Sequence, residues 1–169
     1  MATPSQMNHK PLNWQPIILS ALGFWLSASL VIDLVVMPSM YSSGMMSEPG
    51  FATAGYSMFW VFNRIEILCA ALSVTGLLIL HGQGEASESK RNPAIILSII
   101  LLAIALADTY GFTPHLSAMG MDLDVLASAR SFPSAMIPMQ LGYWIVELLK
   151  LVACGFILMS TSQATLESE

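Results

Sequence analysis

Pro93-Ala-Ile-Ile-Leu-Ser-Ile-Ile-Leu-Leu-Ala-Ile-Ala-Leu-Ala107 contains no charge, and Asp108-Thr-Tyr-Gly-Phe112 carries the apolar run to about twenty residues. That is the length a helix needs to cross the ~30 Å hydrocarbon layer. In hydrocarbon a backbone must satisfy its own hydrogen bonds, which a helix does. Residues 94–112 therefore read as a membrane span. Working outward, residues 58–80 and 137–159 qualify on the same grounds, and so does the stretch 17–37 near the N-terminus. The expected fold is all-α, a polytopic four-transmembrane-helix bundle over residues 17–160.

The whole-chain figures agree. Of 169 residues, 55% are hydrophobic and 10% charged, with mean hydropathy +0.68. A soluble domain runs near a quarter charged, and disorder needs low hydrophobicity with high net charge. A net charge of −5 with six Lys+Arg leaves no basic face for nucleic acid. Two cysteines, Cys69 and Cys154, make neither a disulfide framework nor a four-ligand zinc site. The first apolar stretch is longer than a typical signal-peptide core and no A-x-A-like site follows it, so it reads as a retained anchor.

Punctuation divides the spans. Pro38 and Pro114 follow the first and third, where proline is expected to stop a helix. Residues 82–93 are a polar turn, while 1–16 and 161–169 read as exposed tails. Lys10, Lys90 and Arg91 fall on one side of the membrane and Arg130 on the other. The positive-inside rule then places both termini in the cytoplasm, in a plasma or thylakoid membrane.

Charged residues inside the spans are the unusual chemistry. The first and third spans end Asp33-Leu-Val-Val-Met-Pro38 and Asp108-Thr-Tyr-Gly-Phe-Thr-Pro114, and each is followed by a connector of about twenty residues. The second carries Phe62-Asn-Arg-Ile-Glu66 and the fourth Tyr143-Trp-Ile-Val-Glu147-Leu-Leu-Lys150. This echo reads as a duplicated helical hairpin, of the parallel-repeat kind known in transporters. At 1.5 Å per residue, Asp33 and Asp108 lie roughly 6 Å inside their helix ends, Arg64 and Glu66 roughly 9 and 12 Å, and Glu147 and Lys150 roughly 15 and 20 Å. Charges at such depth face the bundle interior or a wet cavity. Asn63 and Glu66 share a helix face, as do Tyr143, Glu147 and Lys150. The expected buried polar cluster is Asp33, Asn63, Arg64, Glu66, Asp108, Tyr143, Glu147 and Lys150, with Arg64 meeting Asp33 or Asp108 from a neighbouring helix. Four acids face two bases, so protons or a cation make up the difference, or the set is a structural network that orients the helices.

Other chemistry is thinner. Met37 and Met40, and Met136 and Met139, have M-x-x-M spacing. With Met45, Met46, Met119, Met121 and His115 on the same side, they form a weak soft-metal candidate set, since thioether sulfur selects Cu(I). Methionine also fills irregular apolar gaps. His81 and His115 fall on opposite sides of the membrane, so bis-His haem ligation has no geometry. No Gly-rich phosphate loop, Ser/His/Asp set or metalloprotease helix is present, and neither a cofactor nor an enzymatic activity is expected. Aromatic residues such as Tyr41, Tyr56, Trp60 and Tyr110 crowd the outer side as an interfacial belt, and Trp14 marks the inner boundary.

The arrangement Gly23-Phe-Trp-Leu-Ser…Val36-Met-Pro38, Phe62-Asn-Arg-Ile-Glu66, Tyr110-Gly-Phe-Thr-Pro114 and Tyr143-Trp-Ile-Val-Glu147-Leu-Leu-Lys150 resembles an uncharacterised family of small four-helix membrane proteins. Its pattern is similar to cyanobacterial hypothetical proteins, and more distantly to the domain-of-unknown-function group that includes transmembrane protein 205. The resemblance covers most of residues 14–160 and implies a membrane fold without an assigned reaction. The resemblance implies that relatives often carry a histidine near the start of the last helix; the nearest polar residue here is Gln140, a departure that weakens any metal or redox inference.

These features lead to a small, non-enzymatic integral membrane protein that acts as a scaffold, assembly or accessory subunit. The alternative is a proton- or cation-coupled transporter or channel component, and the third reading is a copper-handling membrane protein. The expected partners are the lipid bilayer and other membrane proteins or further copies of the chain.

Overall fold

The computed structural model describes residues 13–45, 50–83, 88–115, 118 and 136–166. Among them no strand occurs. The elements in chain order are α1 (Trp14–Val31), a π-helical turn π1 (Ile32–Val36), α2 (Met37–Ser42), α3 (Phe51–Gln83), α4 (Glu88–Ala107), a second π-turn π2 (Asp108–Phe112) and α5 (Met136–Leu166). Four helices among the described residues are long and apolar enough to cross a membrane: Trp14–Met40, Thr53–Gly82, Pro93–His115 and Leu141–Gln163.

Each span packs against its neighbours in sequence, and the first also packs against the fourth, closing a ring of four. Specific contacts fix the directions. Gln15 Nε2 donates to the carbonyl of Thr161 at 3.1 Å, so the start of the first span meets the end of the fourth. Ile18 lies against Gly76, near the end of the second span. Asn63 Nδ2 donates to Thr113 Oγ1 at 2.6 Å, joining the start of the second span to the end of the third. The bundle is therefore up-down-up-down. Gly76 permits the closest of these approaches, because a Cβ there would lie 2.6 Å from Ile18 Cγ1 and 2.8 Å from its Cδ1.

The distribution of polarity is inverted relative to a soluble protein. Leu34, Leu68, Leu148, Val152 and Met159 are exposed on the outside, while Ser29, Ser73, Ser98, Glu66, Asp108 and Lys150 are buried. A helix coated all round in apolar side chains suits lipid outside and tight packing inside. Small residues let the helices approach. Their hydroxyls find acceptors on their own helix, as Ser73 does on Cys69 O (2.8 Å) and Thr109 on Ala105 O (2.7 Å).

Two sequence expectations need correction. Pro38 and Pro114 do not stop their helices; the chain stays helical through both. Proline lacks an N–H and its ring crowds the carbonyl four residues back, which is Leu34 for one and Tyr110 for the other. Both carbonyls fall inside a π-turn. There the wider ring is closed from Met37 N–H to Ile32 O in π1, and from Thr113 N–H to Asp108 O in π2. The turn absorbs the proline and the helix carries on. Each π-turn begins six residues before its proline, giving both halves the same device. The second correction concerns the ends of helices, and residues 82–83 and 88–93, read as part of a polar turn, already belong to α3 and α4. Trp14 to Pro16 are already helical, started by Asn13, whose side chain accepts from Gln15 N at 3.3 Å. Residues 161–166 extend the last helix where an exposed tail was expected.

Candidate functional site

The buried charge gathers on one group, the Lys150 ammonium, which is 3% exposed. Its Nζ lies 2.7 Å from Glu147 Oε2, 2.8 Å from Asp108 Oδ2 and 3.0 Å from Glu66 Oε2. It also donates to Glu66 Oε1 at 3.2 Å. Trp25 completes the shell by donating its indole N–H to Glu66 Oε1 at 2.7 Å. Trp25, Glu66, Asp108 and Lys150 come from the first, second, third and fourth spans in turn. The cluster therefore sits on the bundle axis. Trp25, Glu66 and Lys150 each fall within two residues of the midpoint of their span, so it lies nearer the membrane centre than helix-end counting suggests.

Local structure explains the convergence. Glu147 and Lys150 are three apart on one face of α5 and pair directly. Asp108 opens π2, and Asp33 lies in π1. Trp25, Ser29 and Asp33 recur every four residues down the inward stripe of the first span, and all three are buried. Asn63 holds Thr113 one turn outward of Glu66.

Not every expected member is present. Arg64 lies outside the cluster. It is exposed on the bundle surface, with its guanidinium carbon 3.5 Å from the Trp60 ring centroid and Nη1 donating to Trp60 O at 3.1 Å. Two residues from Glu66 means about 200° around the helix, which points Arg64 at the lipid. Its long stem carries the charge one turn outward onto Trp60. Tyr143, one turn before Glu147 on α5, does stay beside the acids; it is half-buried and packs edge-on against Phe59, with ring centroids 6.0 Å apart. Trp25 and Thr113 were not anticipated; the four-residue spacing Trp25-Ser29-Asp33 was the available signal for Trp25.

With Arg64 outside, one ammonium among the described residues meets three carboxyls, and Asp33 is a fourth buried carboxyl that makes no ion pair with it. Asp33 Oδ2, Asp108 Oδ1 and Glu147 Oε1 are buried and accept no hydrogen bond among the described residues. Buried polar groups in folded proteins are nearly always paired. A proton, a water or a cation can each satisfy such an oxygen. Asp33 and Glu147 also line a half-open cleft between the first and fourth spans, with Leu30, Leu34, Trp144, Leu148 and Leu151.

Three of the six metal candidates fall among the described residues. Met40 is half-buried, while Met45 and His115 are exposed; Met46, Met119 and Met121 lie outside the described residues. Among the described residues no group of three or more His, Cys, Asp or Glu is arranged to hold a metal ion.

Comparison with known proteins adds one result. No curated protein and no solved structure matches the chain. A family model described as a domain of unknown function, DUF4149, matches residues 20–122. That range contains Asp33, Glu66 and Asp108, while Glu147 and Lys150 lie beyond it.

Proposed function

The chain belongs to the DUF4149 family, a domain of unknown function, and from that premise we propose that it is a non-enzymatic membrane protein that handles positive charge at its axis. In this reading it is a proton- or cation-coupled transporter or channel component. The supporting observation is the imbalance, among the described residues, of four buried carboxyls to one buried ammonium, with carboxyl oxygens that accept no hydrogen bond from them. Intramembrane acids are costly to keep, and a network that served only packing gains nothing from unpaired oxygens. A proton or cation on Glu147, Asp33 or Asp108 reduces the excess, and its departure restores it. The finer kinship with cyanobacterial proteins and with the group including transmembrane protein 205 is part of this proposal.

Reconstituted vesicles test it. Wild type is expected to pass protons, Na⁺ or K⁺ down an imposed gradient above the rate of empty liposomes. Glu147→Gln keeps size and hydrogen bonding while removing the charge, so it is expected to abolish flux with its helical spectrum and elution unchanged. Wild-type vesicles silent to all three ions overturn transport by the chain itself. Such silence favours the second reading, a scaffold or accessory subunit, which rests on Lys150 tying its own helix to the second and third spans.

The proposed orientation has both termini in the cytoplasm, of a plasma or thylakoid membrane, on the strength of Lys10, Lys90 and Arg91 against Arg130. Cysteines placed at Ser87 and Ser128 are expected to label from opposite sides, Ser128 from outside. Reversed labelling refutes the orientation and leaves the spans intact.

A further inference from the structure

The lipid-facing side of α3 carries a charge in the middle of an apolar stripe. Trp60, Arg64, Leu68 and Leu72 recur every four residues, all four are exposed, and all lie within the span Thr53–Gly82. Among the described residues Arg64 makes no ion pair. Its guanidinium lies over the Trp60 ring, and Nη1 donates to the Trp60 carbonyl. Nε and Nη2 donate to nothing among those residues. Ring and carbonyl hold the group in place without cancelling its charge. A charge turned toward hydrocarbon is costly, and an anion brought to it lowers that cost.

We infer that Arg64 binds the phosphate of an anionic phospholipid, whose acyl chain lies along Leu68 and Leu72. Depth comes first. The span Thr53–Gly82 has 30 residues, and about 20 of them cross the hydrocarbon. Centred in the layer, the span meets the hydrocarbon margin near Met58. The Arg64 backbone is then roughly 9 Å inside that margin, and stacking on Trp60, one turn outward, brings the charge to roughly 4 Å from it. A headgroup drawn inward closes that gap. Geometry comes next. The Nε–Nη2 edge left open is a planar fork that takes two phosphate oxygens at once. The leucines decide the source, because a free phosphate has no path to a residue bordered by lipid, whereas a phospholipid is already there. A second copy of the chain fits poorly. Asp33, Glu66, Asp108 and Glu147 are the acids of the four spans and all are buried, so an identical bundle presents no carboxylate at this depth.

Counting retained lipid by native mass spectrometry tests the site, with the full-length protein titrated with dioleoylphosphatidylglycerol in detergent. Saturable binding of one lipid is expected, with half-saturation raised about fivefold or more in Arg64→Gln. Arg64→Lys is expected to lose less, since it keeps the charge and gives up the fork. Dioleoylglycerol has the same chains without the phosphate and is expected to show no saturable binding. Dioleoylphosphatidylcholine is expected to bind more weakly, because its choline offsets the phosphate charge. Leu68→Ala with Leu72→Ala strips the chain's bed without touching the charge and is expected to weaken binding with the helical spectrum intact. Equal binding by wild type and Arg64→Gln overturns the site, and so does equal binding of phosphatidylglycerol and either of the other two lipids. Oleate that binds through Arg64 where phosphatidylglycerol does not also overturns it, and assigns the guanidinium to a carboxylate such as a partner helix would supply. None of these results depends on ion flux, so the site and the charge-handling reading stand or fall separately.

Discussion

Lys150→Met is expected to lower the thermal unfolding midpoint in detergent by on the order of 10 °C. The lysine is the one cation in the axial cluster among the described residues, and three carboxylates lie within 3.0 Å of its nitrogen. Methionine keeps the length and apolar stem but strands those charges in the interior. Losing one partner of a buried ion pair costs about 3–5 kcal/mol in soluble proteins, chiefly because the other charge is left uncompensated. Neutralising the acids as well, with Glu66→Gln, Asp108→Asn and Glu147→Gln on the Lys150→Met background, is expected to recover much of the loss. Lys150→Arg is expected to be intermediate, since a planar guanidinium fork cannot aim at three carboxylates as a compact ammonium does. Arg64→Leu is the internal comparison. It removes a positive charge from the same depth range, but one that stacks on Trp60 at the surface, and it is expected to change the midpoint little. Equal midpoints for wild type and Lys150→Met would show that axial charge does not hold the bundle.

The second large effect is expected at Trp25. Its indole N–H donates to Glu66 Oε1 at 2.7 Å, and the side chain is 2% exposed. A hydrogen bond to a charged group contributes about 1.5–3 kcal/mol, and Trp25→Phe also leaves a gap where the larger ring had packed. A destabilisation of about 3 kcal/mol is expected from the two together. A double-mutant cycle with Glu66→Gln separates them, because the packing loss is independent of the partner's charge. A coupling of about 1 kcal/mol or more between the two positions is expected. Zero coupling would reduce Trp25 to a space-filler.

Much of this architecture was legible in the sequence, and the parts that were not have physical reasons. Hydropathy located all four spans because lipid imposes one requirement on every residue of the outer surface. Helical spacing correctly set Asn63 with Glu66, and Glu147 with Lys150. Arg64 was misplaced because matching charges by sign took precedence over its position round the helix, although its separation from Glu66 already pointed it outward. Trp25 escaped notice because an aromatic in a span reads as packing or interface, while its role depends on an N–H whose acceptor lies on another helix. The prolines misled because their local rule is stated for an α-helix, and the chain met them with a different helix. How far Asp33 stands from the ammonium, and which carboxyl oxygens stay unpaired, depend on ångström-scale placement that spacing does not encode.

The two π-turns have a consequence for everything beyond them. Each holds one residue more than an α-turn would, and a residue is worth about 100° of rotation. Beyond Val36 and Phe112 the first and third spans resume out of phase with their inner portions, like a vernier slipped by one division. The helical residues that follow, Met37–Ser42 in the first span and 113–115 in the third, therefore lie about a quarter-turn around from where uninterrupted helices would put them. Deleting one residue from either turn would close the slip. The axial portions would keep their stripes, while the helical residues beyond the turn would swing round as a block.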